Sequence, residues 1–140
     1  MRLWTARTLI ILVVAWNLQA AALFLFQPAA AVAGFELSGM PGEAALRGLA
    51  VLFLMWNVPY CLAAWQPARH LISLKEALAM QAIGLLGETL IYFNLASTHS
   101  ILRGSILRFI WFDSAGLVLL SLAFLLVRKI NDLMIPGDKS

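Results

Sequence analysis

Four apolar runs take up most of the chain: residues 8–26, 45–65, 74–95 and 107–127. Each reaches the roughly 20 residues a helix needs to cross the hydrocarbon core of a bilayer. The strand-like alternation of a membrane barrel is missing, and a run such as 116–127 is apolar on every face. In lipid only helices and closed barrels satisfy the backbone. The expected fold is therefore all-α, an integral membrane four-helix bundle forming a single membrane domain over residues 1–140. The connections are short, which favours up-down-up-down topology.

The first connection, 27–44, is the longest. Pro28 is expected to end the first span, and 29–37 is apolar with one acid, Glu36. That stretch is too short to cross, so it is expected along the interface or dipping back into the membrane. A turn follows at Ser38-Gly39-Met40-Pro41-Gly42. Glu43 and Arg47, four apart at the start of the second helix, make a favourable pair. Gln66-Pro67 closes the second span, and Ser73 with Glu76 reads as a capping box for the third helix. Residues 96–105 read as a short polar loop, and Pro136-Gly137 as the stop of the last helix.

Composition agrees: 62% hydrophobic, 12% charged, mean hydropathy +0.88. Soluble domains are nearer half apolar and a quarter charged. The net charge of +3 does not point to nucleic acid, because the basic residues mark span ends and form no stripe. Arg2, Arg7, Arg69, Lys75, Arg128, Lys129 and Lys139 fall on one side, and only Arg47, Arg103 and Arg108 on the other. By the positive-inside rule both termini are cytoplasmic, in a cell membrane of the bacterial inner-membrane type. A cleaved signal peptide is the rival for the first span. Its apolar stretch is longer than a usual signal core and holds Trp16, Asn17 and Gln19, so an uncleaved span is preferred. Trp4, Trp65 and Trp111 lie near predicted membrane boundaries.

Polar residues inside the spans carry the functional signal. On the third helix Ala77, Gln81, Gly84, Glu88 and Tyr92 share one small and polar stripe, the kind that faces other membrane helices. On the fourth, Phe109, Asp113 and Gly116 share a face, with Arg108 roughly opposite and directed to headgroups. Asn57 and Tyr60 share a face of the second helix, and Ala15, Gln19 and Ala22 a face of the first. Counted at 1.5 Å per residue, Gln19, Glu88 and Asp113 lie about 10 Å below the outer boundary, within reach of Arg47. The expectation is an outer-half cluster of Gln19, Arg47, Asn57, Glu88, Tyr92 and Asp113, with Gln81 on the same stripe. An unpaired carboxylate there costs at least about 2.5 kcal/mol, so each acid must be paired, hydrated or protonated. Two readings stand. In one, Arg47 and the amides satisfy the acids and fix helix register. In the other, the cluster is a ligand or proton site opening outward. Asn17 is expected to face away from Gln19, as a contact for another protomer or subunit or as an amide bonded to its own helix.

No catalytic residue and no metal site is expected. His70 and His99 lie in loops on opposite sides and cannot share a haem. There is no phosphate loop, zinc-protease motif or serine elbow. Cys61 is alone, so it forms no intrachain disulfide, and it reads as a small buried hydrophobe. No cofactor is implied by these residues, although a bundle can hold a quinone without a motif.

Phe26-Gln27-Pro28 at the end of the first span, Gly34-Phe35-Glu36-Leu37 in the outer loop, Leu46-Arg47-Gly48 opening the second span, and Gly84 with Glu88 in the third resemble the DoxX-like group of small four-helix bacterial membrane proteins. That resemblance implies the four-span architecture and includes a link to quinone-dependent oxidation; no catalytic residue carries over. Small multidrug transporters are also short four-span proteins, but their essential acid lies in the first span, which has none here.

Three functions follow, in this order. The first is an accessory or scaffold subunit of a membrane assembly. The second is a stand-alone binder or transporter of a small lipophilic or protonatable molecule. The third is a quinone-linked oxidoreductase subunit.

Overall fold

A computed structural model describes the backbone of residues 1–134 and the side chains of residues 1–130. The expected stop at Pro136-Gly137, and Lys139, lie outside the described residues. The order is α1 (Arg2–Phe26), α2 (Pro28–Ala31), a 3-10 turn (Val32–Phe35), α3 (Gly39–Trp65), α4 (Leu71–Asn94) and α5 (Ser100–Met134). Among the described residues there is no strand.

Proline sets two of the boundaries. α1 stops at Phe26 because Gln27 leaves the helical region (φ −133°, ψ 48°) and Pro28 has no N–H to continue the ladder. Pro28 then opens α2, at a position where its missing donor costs nothing. α3 likewise stops at Trp65, just before Gln66-Pro67.

The four long helices form a ring. α1 packs on α3 and α5, and α4 packs on the same two. One buried cluster joins Ala6, Ile10 and Val13 of α1 to Tyr60 and Ala63 of α3, Leu74 and Ala77 of α4, and Leu120, Ala123 and Val127 of α5. The opposite cluster joins Phe24 to Leu46, Ala50 and Phe53, with Val32, Phe35 and Phe109 against it. Neighbouring helices therefore run antiparallel.

α1, α3 and the stretch Ser100–Ile130 of α5 are each long and apolar enough to cross a membrane. α4 is not among these three; Gln81, Glu88 and Asn94 lower its apolar character. Its outward side is still apolar, with Ile83, Leu86, Leu90 and Phe93 all exposed. Such an outside, around a core holding amides, inverts the pattern of a water-soluble bundle.

Several local expectations are corrected. The Ser73/Glu76 capping box is not used: α4 begins at Leu71 with His70 as N-cap, which places Ser73 already inside the helix. Cys61 is exposed on the outer side of α3 instead of buried. Residues 100–105, read as loop, are the first turns of α5.

That early start of α5 has a long-range cause. Glu36 Oε1 accepts the N–H of Leu102 at 3.1 Å, and Glu36 Oε2 meets His99 Nδ1 at 2.5 Å. A carboxylate from the first connection thus caps α5, where free N–H groups and the helix dipole favour negative charge. Ser105 Oγ adds a bond to the Gly34 carbonyl. The 27–38 segment is consequently folded as a strap over one end of the ring. Glu36 itself sits in the left-handed region at φ 55°, a conformation its two partners must hold.

His99, then the Leu102 N–H, hold the Glu36 carboxyl below its ordinary value of 4.5. As pH falls, the unfolded strap takes up its proton first. The carboxylate's contribution is complete above that ordinary value and is lost as pH falls through the lower folded one. Protection of the Leu102 and Leu37 amides, measured against their intrinsic exchange rate at each pH, is therefore expected to be high at neutral pH and to fall on acidification. In Glu36→Gln protection should be low at every pH. Unchanged exchange in that variant would mean the strap is held by its apolar contacts alone.

Candidate functional site

The polar centre of the ring is built around the α4–α5 contact. Gln81 is buried on α4, 5% exposed. Its Oε1 accepts the Tyr60 hydroxyl of α3 at 2.8 Å. Its Nε2 donates to Asp113 Oδ1 of α5 at 2.8 Å. One amide thus ties three helices together.

Two glycines make room for it. A Cβ on Gly84 would lie 2.5 Å from Asp113 Oδ2, and one on Gly116 would lie 2.6 Å from Gln81 Nε2. The arrangement is reciprocal. Each helix carries a polar residue three positions before a glycine, Gln81 before Gly84 and Asp113 before Gly116. In antiparallel neighbours each polar side chain lies across the other helix's glycine. Small residues permit such close approach between membrane helices.

Beyond this chain, two sealed side-chain oxygens lack any hydrogen-bond partner among the described residues: Asn57 Oδ1 and Glu88 Oε2. Asn57 is 2% exposed and donates its Nδ2 to the Phe53 carbonyl at 2.7 Å. It stands one turn from Tyr60 along α3; Glu88 stands two turns from Gln81 along α4, in the same direction. Helical side chains lean toward the N-terminus of their own helix. In antiparallel neighbours the Asn57 and Glu88 side chains therefore lean toward each other in height.

The expected cluster is thus partly assembled. Gln81 and Asp113 are joined, Asn57 lies one turn away, and Glu88 lies beyond Gly84 toward the aromatic layer of Phe24, Phe53 and Phe109. Asp113 is level with Gly84, about one turn deeper than Glu88, because α5 starts far earlier than expected.

Arg47 does not join. It is half exposed and pairs with Glu43 at 3.4 Å, the local pairing expected at the start of α3. An i,i+4 partner on its own helix outcompetes an acid deep in the ring.

Gln19 does not join either: it is exposed, while Asn17 is half-buried. The inward stripe of α1 runs Ala6, Ile10, Val13, Ala21 and Phe24, and Asn17 falls on it. α1 is apolar nearly all round, so two faces competed, and the aliphatic residues chose the one opposite Gln19.

Tyr92 also lies apart. Arg103 stacks on its ring at 4.3 Å and donates to the carbonyls of Tyr92 and Leu95, capping the end of α4 with a cation. Arg108 donates to Ser105 and, as expected, makes no pair with Asp113.

The residue that the reading of the sequence underweighted is Tyr60. Its signal was a phenol three positions after Asn57 in an apolar helix, where a hydroxyl must find a partner. No family model, no curated protein and no solved structure matches this chain.

Proposed function

We propose that this chain is a four-span protein of the bacterial inner-membrane type that binds a small lipophilic amine or other protonatable donor in its polar centre. In this reading α4 also crosses the membrane, as the third of four spans in chain order, with its exposed apolar side toward lipid. The helices run up-down-up-down, and both termini lie on the cytoplasmic side with Arg2, Arg7, Arg69, Lys75, Arg128 and Lys129. The likeness to DoxX-like proteins belongs to the same proposal.

The observation that carries the function is the pair of sealed, partnerless oxygens on Asn57 and Glu88. Leaving a buried acceptor unsatisfied costs about 1–3 kcal/mol. Buried ionisable groups within membrane spans mark substrate or proton routes by default. With no ion pair at Glu88 among the described residues, its carboxyl can exchange its proton for an incoming ammonium. The proton leaves to water, and the carboxylate and the Asn57 carbonyl accept the ammonium N–H groups. Asp113 is already engaged by Gln81 and serves as a fixed second negative pole. A quinone would bring carbonyl acceptors to a place that already has spare acceptors, so the quinone-linked alternative gains least. The accessory-subunit reading drew on an outward Asn17, which instead lies on the core face. A stoichiometric protein partner after extraction in mild detergent would restore it.

The test uses the purified full chain in weakly buffered detergent, with dansylcadaverine as the amine and a pH indicator as the second readout. Wild type is expected to bind and to release up to about one proton per amine. Glu88→Gln should weaken binding at least about tenfold, roughly 1.4 kcal/mol, and abolish proton release. Asp113→Asn should weaken binding less. Equal binding and proton release by wild type and Glu88→Gln would overturn the proposal.

A further inference from the structure

At the basic end of the ring, away from the polar centre, an open cavity of about 370 Å³ lies between the start of α1 and the α3–α4 connection. Its lining includes Leu3, Trp4, Arg7, Trp65, Gln66 and Arg69. Two observations set its chemistry. First, it holds two guanidinium groups that form no ion pair among the described residues. Arg7 lies 5.4 Å from the Trp4 ring centre, and Arg69 donates to Gln66 at 3.5 Å. Among the described residues, the ion pairs are those of Arg47 with Glu43 and His99 with Glu36, both elsewhere. Second, the remaining wall is apolar and aromatic. Trp4 and Trp65 are 69% and 62% exposed, and His70 stacks on Trp65 at 6.1 Å.

We propose that this cavity binds an anionic phospholipid, with its phosphate between Arg7 and Arg69 and the head of its acyl region against Trp4, Trp65 and Leu3. Guanidinium matches phosphate by paired N–H donors, and Arg is less strongly hydrated than Lys, so it gives up water more readily at such a site. Tryptophan at a helix end belongs at headgroup depth, where one edge is wet and the rest apolar. The surrounding field has the right sign. Lys75, Arg128 and Lys129 follow or flank core residues Leu74 and Val127, which cluster with Ala6 at this same end. Basic residues near an anionic leaflet add attraction for its headgroups. A free phosphate shares the headgroup chemistry but makes no use of the apolar wall, and that difference commits the site to a lipid.

Delipidated full-length protein is titrated with phosphatidylglycerol, with phosphatidylcholine of the same acyl chains, and with inorganic phosphate, and bound species are counted by native mass spectrometry. Phosphatidylglycerol is expected to be retained at least about tenfold more strongly than phosphatidylcholine, and inorganic phosphate should neither bind nor displace it. The double variant Arg7→Gln/Arg69→Gln should drop phosphatidylglycerol to the phosphatidylcholine level. Arg47→Gln, at the opposite end, should leave it unchanged. Equal retention of the two lipids by wild type needs no variant and would overturn the assignment. An equal loss in Arg47→Gln, or displacement by millimolar inorganic phosphate, would do the same, the latter leaving a phosphate site without a lipid.

Discussion

Replacing Gly84 by alanine is expected to destabilise the protein by about 2 kcal/mol, and removing Asp113 first should cancel or reverse that loss. The new Cβ would meet Asp113 Oδ2 at 2.5 Å and Asp113 Cγ at 3.6 Å. Overpacking a tight contact costs about 1–3 kcal/mol. The carboxylate can turn aside, but only by giving up the Gln81 amide, which it accepts at 2.8 Å and which also anchors Tyr60. In an Asp113→Ala background the obstacle is gone. Alanine should then be neutral or stabilise by up to about 1 kcal/mol, its helix-propensity advantage over glycine. Gly116→Ala should behave the same way against Gln81→Ala, since its Cβ would meet Gln81 Nε2 at 2.6 Å and Cδ at 3.0 Å. Urea unfolding in detergent, run as two double-mutant cycles, measures both couplings. Additive changes would mean that the glycines are not filled by the partner helix's polar side chain.

This reciprocal contact was half legible in the sequence. The stripe Ala77, Gln81, Gly84 and Glu88 was readable because small and polar residues stand out against Leu and Ile, and the structure buries Ala77 and Gln81. The direction in which Asp113 pointed was readable too. What could not be read was the vertical offset between α4 and α5, because that depends on where α5 begins. Its first turns hold Arg103, Gly104 and Ser105, which look like loop, and their cap comes from Glu36, 66 residues away from Leu102. Local signals do not carry such a contact. The same limit explains Arg47. Its near partner Glu43 was seen, and so was a distant acid, but helical spacing alone does not say which wins. On α1 the polar faces of Asn17 and Gln19 were interchanged because a helix apolar nearly all round has no moment to orient it. The helix stops at Phe26 and Trp65 were legible for the opposite reason: a following X-Pro acts locally.

The two half-buried acids are expected to respond with opposite sign to the same kind of substitution. Glu88→Met should raise stability by about 1–3 kcal/mol, because it removes a sealed oxygen that has no partner and leaves nothing behind unsatisfied. Methionine matches the length and flexibility of glutamate and fills irregular space. Asp113→Leu should lower stability by about 2 kcal/mol or more, because Gln81 Nε2 then loses its acceptor inside the ring and Tyr60 loses a fixed partner behind it. Insertion scales would treat both changes as gains, since each deletes a membrane carboxylate. The difference lies in what each acid already holds. Asp113 is a fastening with one carboxylate oxygen committed, whereas Glu88 carries a cost that the resting fold does not recover. A residue kept at such a cost is explained if the missing partner arrives with the ligand. In that case Glu88→Met gains stability and loses amine-linked proton release in the same protein. Thermal unfolding of the two variants in one detergent decides the matter: a destabilised Glu88→Met would show that Glu88 has a structural partner and would remove the main support for a binding site there.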